Sequence, residues 1–147
     1  MKVIIDSVEK LNCVARYIHD AMFEIDKVIF KEQNKFFGLE VIRVLYEEAV
    51  VRKKTFLYKI MSAPKLRSSL SFKCVNKMKL NSTEPTDFIN KIKYDSRNQQ
   101  IKFSCVKGTK ICLDVERMEG KFDDIEKISE GRHKFTVLFW GLEIENW

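Results

Sequence analysis

Two stretches of the chain, IDKVIFKEQNKFFGLEVI (25–42) and INKIKYDSRNQQIKFSCV (89–106), align without a gap at an offset of 64 residues. Apolar side chains recur at matched positions, such as Phe30 with Tyr94. In each stretch, two segments of alternating apolar and polar residues flank a polar turn, which is typical of a β-hairpin. The alignment therefore predicts two similar hairpins and a possible duplication. The alternative is that two unrelated amphipathic hairpins align by chance.

A helix is predicted ahead of the first hairpin. Asp6, followed three residues later by Glu9, resembles a capping box. Apolar residues then recur at 3.6-residue spacing on one face, which indicates an amphipathic helix; they are Val8, Leu11, Val14, Ala15, Ile18 and Met22. The segment KVII (2–5) before the helix is typical of a short edge strand.

Beyond residue 23 the apolar period becomes two, so most of the remaining chain is predicted to form strands. In SLSFKCVNKMKL (69–80) apolar and basic residues alternate, with an interruption at Val75 and Asn76 that predicts a bulge. The stretch KICLDVE (110–116) alternates in the same way.

Two later stretches are harder to assign. KFDDIEKISEG (121–131) is predicted to be a loop with a short helical turn, and HKFTVLFWGLEI (133–144) to be one strand that is apolar on both faces. The expected fold class is α+β, mostly antiparallel, with roughly eight strands in a sheet or barrel-like arrangement and one N-terminal amphipathic helix.

Length and composition indicate one soluble globular domain over residues 1–147, with 45% hydrophobic and 33% charged residues. No stretch approaches the roughly 18 apolar residues of a membrane span. The start, MKVIIDSVEK, lacks the long apolar region of a secretory signal. None of the four cysteines forms a Cys-x-x-Cys pair, which favours reduced thiols. We therefore expect a cytoplasmic protein with no membrane partner.

Positive charge is concentrated in the middle of the chain. Residues 49–110 hold fifteen basic and three acidic side chains, whereas residues 1–48 and 111–147 are net negative. Because alternate side chains of a strand lie about 6.6 Å apart on one face, this block predicts a surface for RNA or single-stranded nucleic acid. The alternatives are a solvated sheet face or pairing with the acidic C-terminal segment. The predicted binding face lies in residues 49–83, a stretch without any acidic residue, and its candidate cations are Arg52, Lys59, Arg67, Lys73, Lys77 and Lys79.

Enzymatic motifs are absent from the sequence. Its glycines are isolated, and neither a phosphate-binding loop nor a Gly-x-Ser-x-Gly elbow occurs. No catalytic residue, cofactor or particular small-molecule ligand is therefore predicted. One dense group of His and carboxylates predicts a divalent-cation site or an acid–base pair, the alternative being ordinary residues of a helix end and loop; its members are His19, Asp20, Glu24 and Asp26.

The apolar stretch at 133–144 also bears on assembly. A strand that is apolar on both faces lies either inside a packed sheet or at a subunit contact. The preferred hypothesis is accordingly a non-enzymatic binding or assembly protein that forms a homodimer. Nucleic-acid binding and metal-dependent activity at His19 are the alternatives. The predicted interface residues are Phe135, Val137, Phe139, Trp140 and Trp147.

Overall fold

A computed structural model describes the backbone of residues 1–45, 50–54, 58–138 and 141–146, and the side chains of residues 1–45 and 63–128. The described backbone contains an α-helix, a 3-10 turn at Ile25–Lys27 and twelve strands. Their bounds are β1 Lys2–Ile5, α1 Val8–Tyr17, β2 Met22–Glu24, β3 Ile29–Lys31, β4 Phe36–Val44, β5 Val50–Lys54, β6 Tyr58–Phe72, β7 Val75–Asn81, β8 Thr86–Asp95, β9 Gln100–Cys105, β10 Lys110–Val115, β11 Gly120–Leu138 and β12 Gly141–Asn146.

The strands hydrogen-bond in the order β1-β11-β6-β4-β2-β8-β9-β10-β7, with β12 paired to β11, β3 to β4 and β5 to β6. Every pairing whose register is defined is antiparallel. The predicted α+β class, mostly antiparallel with an N-terminal helix, is therefore confirmed. The strand count in the described backbone exceeds the expected eight. One reason is the 3-10 turn, which separates β2 from β3.

The chain divides into two compact units. Unit 1 comprises Met1–Arg43 and Ser68–Ile125, and unit 2 comprises Val44–Arg67 and Glu126–Trp147. The expectation of one globular domain over residues 1–147 stays a prediction.

Helix α1 supplies one wall of the core of unit 1. Its residues Leu11 and Val14, and Ile18 just after it, are fully buried, as the apolar stripe predicts. Two members of the predicted stripe differ, because Val8 in the first turn is exposed and Met22 belongs to β2. The cap differs from the prediction, because the hydroxyl of Ser7 accepts a hydrogen bond from the amide of Lys10 at 3.3 Å. Ser7 has extended backbone angles, which bring its side chain over the first turn. Asp6 instead forms a 3.0 Å ion pair with Lys10.

Buried aromatic rings from several strands fill the same core. The Phe37 ring centroid lies 5.8 Å from that of Phe103 and 6.4 Å from that of Phe72. Gly120 borders this cluster, and a Cβ atom there would lie 2.5 Å from the Phe72 ring. A side chain at position 120 would therefore displace a fully buried phenylalanine.

The two aligned stretches form hairpins with the same register. In the first hairpin Phe30 pairs with Phe37, and in the second Tyr94 pairs with Ile101, each residue being 64 positions from its counterpart. The two turns match as well, since Lys35 and Gln99 both adopt a left-handed conformation with φ 51°. The predicted pair of hairpins is confirmed.

The two hairpins also meet in a symmetric pairing. Strand β2 pairs with the start of β8 so that Phe23 lies opposite Asp87, Met22 opposite Phe88 and Glu24 opposite Thr86. Residues 86–88 are the counterparts of residues 22–24 at the offset of 64. Replacing each residue by its counterpart therefore exchanges the two strands and gives the same three pairs. The backbone therefore has an approximate local two-fold relation, which supports an internal duplication.

The predicted bulge is confirmed, but the strand around it is not continuous. Lys77 pairs with Asp114 and Val75 with Val115, which leaves Asn76 without a partner in the ladder. Strand β6 ends at Phe72 and β7 begins at Val75. Between them Cys74 adopts a left-handed conformation with φ 59°, so the chain changes direction there.

The loop predicted at 121–131 is wrong, because these residues belong to β11. The segment pairs with β1, where Lys2 lies opposite Asp123 and Ile5 opposite Gly120. Acidic residues have low intrinsic β-propensity, but hydrogen bonding to a strand distant in sequence outweighs it.

Asp124 in β11 adds side-chain contacts to this pairing. Its carboxylate accepts hydrogen bonds from Ser68 Oγ at 2.7 Å and Tyr17 Oη at 3.0 Å, and it pairs with the Met1 ammonium at 2.8 Å. Burial acts to raise the pKa of Asp124, but these partners outweigh it and hold the pKa below its usual value. The Asp124 carboxylate thus links the N-terminus, α1 and β6 to β11.

The single strand predicted at 133–144 is also wrong. Strand β11 ends at Leu138, β12 begins at Gly141, and these two residues pair in an antiparallel hairpin. Both strands of a hairpin can be apolar, so a continuous apolar run does not reveal where the chain reverses. Phe139, Trp140 and Trp147 lie outside the described residues.

Of the predicted interface residues, only the backbone of Phe135 and Val137 is described. Phe135 pairs with Ile144 and Val137 with Leu142 in the backbone ladder, but their side chains are outside the described ones. The homodimer interface stays a prediction.

Unit 2 contains two antiparallel pairs, β5 with β6 and the C-terminal part of β11 with β12. The amide of Leu45 donates to the Pro64 carbonyl at 2.9 Å. Arg67 forms an ion pair with Glu126, so this cation is engaged within the unit.

Asp87 is a fully buried carboxylate in unit 1 beside the turn that joins β9 to β10. Its Oδ1 accepts from the amides of Phe88 at 2.7 Å and Lys107 at 2.8 Å, and its Oδ2 accepts from the amide of Thr109 at 3.1 Å. Burial acts to raise the pKa of Asp87, but the hydrogen bonds from Thr109, Lys107 and Phe88 outweigh it, so the pKa is lowered. The ionised carboxylate therefore fixes this turn.

We expect Asp87→Ala to lower the free energy of unfolding by about 3 kcal/mol at neutral pH, because three amides lose their acceptor in a buried position. Urea denaturation followed by circular dichroism measures the change. The lowered pKa means that the Asp87 contribution is complete above about pH 4 and is lost as the pH falls through the folded-state value. The difference in the free energy of unfolding between wild type and Asp87→Ala should therefore become smaller in acid. Asp123→Ala, at a partly exposed position, is the control, and a gap that stays constant down to about pH 2 would contradict the assignment.

Candidate functional site

Four strands, β7, β10, β9 and β8, present a lysine-rich outer side. Their alternate residues, such as Ile101, Phe103, Ile111 and Leu113, are buried in the core. The remaining residues lie on the opposite side of the sheet, and the strand register aligns them in three rows across the four strands. We call these twelve positions the lysine face. The first row is Asn81, Lys110, Ser104 and Lys91, the second is Lys79, Cys112, Lys102 and Lys93, and the third is Lys77, Asp114, Gln100 and Asp95.

The lysine face is strongly positive in its first two rows, which contain five lysines and no acidic residue. All five lysines are exposed. The third row contains both aspartates of the face, where Asp114 accepts from Gln100 at 2.7 Å and Asp95 pairs with Lys102 at 3.2 Å. Neighbouring strands lie about 4.8 Å apart, so Lys93 and Lys102 are close enough to contact adjacent oxygens of one polyanion.

Only two of the six cations predicted from sequence, Lys77 and Lys79, lie on the lysine face. Lys73 lies between β6 and β7, away from the three rows, and Arg67 is paired with Glu126. Arg52 in β5 and Lys59 in β6 have side chains outside the described ones. Four lysines of the face were not predicted, because they lie in the sequence beyond the acid-free stretch 49–83; they are Lys91, Lys93, Lys102 and Lys110.

A recess of about 530 Å³ continues the lysine face beyond β8, between that strand and the second half of α1. Lys91 and Lys93 line it together with Arg16 and His19 of the helix end. The His19 ring is held by Asn90, with Nε2 3.3 Å from the amide oxygen. Arg16 thus adds a cation to a recess that shares Lys91 and Lys93 with the lysine face.

The predicted His19 group is not brought together as one site. His19 Nδ1 lies 3.2 Å from an Asp20 carboxylate oxygen. Glu24 and Asp26 instead line a separate recess with Glu84, and Glu24 pairs with Lys27 at 2.9 Å. Among the described side chains, no three or more His, Cys, Asp or Glu residues are arranged to hold a metal ion. The metal hypothesis gains no support and stays a prediction.

All four cysteines are free thiols. Cys13 is exposed, Cys74 and Cys112 are half-buried, and Cys105 is buried. Burial, with a contribution from the nearby charge of Asp87, raises the pKa of Cys105 to about 12. Burial also raises the pKa of Cys112, which lies in the middle of the second row of the lysine face. Cys105 and Cys112 are therefore not activated nucleophiles, because a raised pKa leaves little thiolate at neutral pH.

The chain belongs to a family described as "Protein of unknown function (DUF2948)", whose model matches residues 1–135. No curated protein and no solved structure matches the chain significantly. In the described part of the chain, no helix is long and apolar enough to cross a membrane. The family match covers every strand of the lysine face but assigns it no activity.

We expect the four thiols to react with maleimide in the order of their exposure. At mildly alkaline pH Cys13 should be modified first, Cys74 and Cys112 more slowly, and Cys105 only after unfolding, because burial limits both access and thiolate formation. Peptide mass spectrometry of a time course measures each rate. Fast modification of Cys105 in the native protein would contradict its placement in the core.

Proposed function

We propose that the protein binds nucleic acid through its phosphate backbone, with the lysine face as the binding surface. The observation that carries the proposal is the pair of adjacent rows that hold five exposed lysines and no carboxylate. Cations at regular spacing release the counterions condensed on a polyanion, and this release is a major source of affinity for nucleic acid.

The rigidity of the face supports the same function. The lysine-bearing strands are backed by fully or almost fully buried residues, including Phe103 and Leu113. The lysine positions are therefore fixed by the packed core, and binding costs mainly side-chain entropy. A flexible tail of lysines would also lose backbone entropy on binding.

The chemistry of the face favours contacts to the backbone rather than to the bases. None of its twelve positions carries an aromatic residue on which a base could stack. Lysine is a compact charge without the planar fork that reads guanine in a groove. We therefore propose binding with little sequence preference, to duplexes or folded RNA as well as to single strands. A cytoplasmic location is part of the proposal and is supported by the four free thiols.

Replacement of Lys79, Lys93 and Lys102 by Gln tests this proposal. We expect the triple variant to bind a mixed-sequence duplex roughly ten- to a hundredfold more weakly, and the slope of log affinity against log salt to fall by about three. Fluorescence anisotropy between about 50 and 200 mM salt measures both quantities.

The matched control removes three lysines from outside the face, by Gln replacement of Lys10, Lys27 and Lys121. Each of these lysines is paired with an acidic neighbour, namely Asp6, Glu24 and Asp123. The control loses the same formal charge, so near wild-type binding would localise the effect to the lysine face. Equal weakening of the two variants, or no salt-sensitive binding by wild type at micromolar concentration, would refute the proposal.

Cys112 provides an independent readout without mutation, since it lies between Lys79 and Lys102 in the second row. Bound nucleic acid should slow its reaction with maleimide several-fold, whereas exposed Cys13 on α1 should react as before. Paired rate measurements with and without duplex test this directly. A maleimide reaction rate of Cys112 that saturating duplex leaves unchanged would place binding elsewhere.

A further inference from the structure

A second cationic recess, of about 540 Å³, lies in unit 1 away from the lysine rows. One wall is the turn of the first hairpin, and the other is formed by the connections that precede β7 and follow β10. Its size falls within the range of small-molecule sites. The lining residues are Lys31, Asn34, Lys35, Phe36, Lys73, Cys74, Arg117 and Glu119.

The walls are joined by backbone hydrogen bonds, so the recess is preformed. The amide of Val75 donates to the Lys35 carbonyl at 2.9 Å, and the amide of Lys73 donates to the Glu119 carbonyl at 2.8 Å. A third bond, from Glu116 N to Cys74 O at 2.9 Å, closes the same corner. A ligand would therefore not need to organise these backbones.

The recess carries an excess of positive charge. Four cations line it against a single carboxylate, that of Glu119. The Glu119 carboxylate already has partners, because one of its oxygens accepts hydrogen bonds from Arg117 Nε at 3.1 Å and from Cys74 Sγ at 3.3 Å. Lys35 is paired with Glu116, whereas Lys31 and Lys73 have no ion pair among the described residues. Two lysines and an oriented guanidinium suit a doubly charged phosphate.

The wall of the recess also contains an aromatic ring. Phe36 is half-buried, and its ring lies beside Gly38, where a Cβ atom would be only 3.1 Å away. The ring therefore rests close to the β4 backbone at a position where no side chain intervenes. A half-exposed phenylalanine near cations provides a surface on which a planar base stacks.

We propose that this recess binds a nucleoside phosphate, with the base on Phe36 and the phosphate between Lys31, Lys73 and Arg117. The amide of Asn34 at the rim supplies both a donor and an acceptor for the edge of a base. The ligand is either a free nucleotide or an unpaired nucleotide of a longer strand, which share this chemistry. The inference does not depend on the lysine face, since the two sites have no residue in common.

Isothermal titration with AMP, adenosine, ribose 5-phosphate and a 5′-phosphorylated pentanucleotide tests the proposal. AMP should bind measurably more tightly than ribose 5-phosphate or adenosine, because each of these lacks one of the two recognised groups. The strand comparison uses the lysine-face triple variant (Lys79, Lys93 and Lys102 to Gln), so that binding at the lysine face does not contribute. In that variant, tighter binding of the pentanucleotide than of AMP assigns the site to a strand, and equal binding assigns it to a free nucleotide. Absence of binding by both AMP and the pentanucleotide up to millimolar concentration overturns the proposal.

Two variants separate the parts of the site. Phe36→Ala should weaken AMP binding about tenfold or more and leave ribose 5-phosphate unaffected, because only the base loses a contact. Lys73→Gln should weaken both ligands, whereas Lys10→Gln on α1 should change neither. The thermal midpoint of each variant verifies folding, and Phe36→Leu retains the apolar packing if the alanine variant is unstable.

The lysine-face triple variant distinguishes nucleoside phosphate binding in the recess from nucleic-acid binding by the lysine face. It should bind AMP as wild type does, even when its affinity for duplex is lost. AMP binding that is insensitive to both Phe36→Ala and Lys73→Gln would place the nucleotide elsewhere and overturn the assignment, whatever the duplex result.

Discussion

The pairing of β2 with the start of β8 connects the two hairpins in one sheet, and much of unit 1 depends on it. Phe23 and Asp87 lie opposite each other at its centre, and both are buried. Asp87 in turn accepts the amides of Lys107 and Thr109, which form the turn that leads into β10. Strand β10 then pairs with both β9 and β7. Asp87 thus fixes the turn from which β10 starts, and the registers of β10 with β9 and β7 then align the lysine rows.

The sequence pattern predicted those elements whose contacts lie close together in the chain. Period-two alternation identified both hairpins and the bulge at Asn76, because turn residues and alternation are set by neighbours in sequence. It failed for β11, whose acidic residues are held by β1, more than a hundred positions away. It also failed at Leu138 and Gly141, where the chain reverses within an apolar run. Strand partners distant in sequence are not encoded in local periodicity.

The same limitation explains why the candidate site was only partly predicted. Lys77 and Lys79 were identified from an acid-free stretch, but Lys93 and Lys102 join them only through the register of β8, β9 and β10. Conversely, Arg67 belongs to the basic stretch and is engaged by Glu126. A block of like charges in sequence predicts an excess of charge, whereas its division among surfaces depends on how the strands pair.

Comparison of the two hairpins indicates how one backbone came to carry two different surfaces. The outer positions of the second hairpin hold Lys93 and Lys102, and 64 residues earlier the first hairpin has Ile29 and Gly38. At these matched positions the second hairpin extends cations into solvent, whereas Gly38 leaves room for the ring of Phe36. Substitution at equivalent outer positions leaves the buried positions and the shared register unchanged. A duplicated hairpin can therefore acquire a lysine-rich face in one copy and an aromatic recess in the other, because outer residues change without cost to the core.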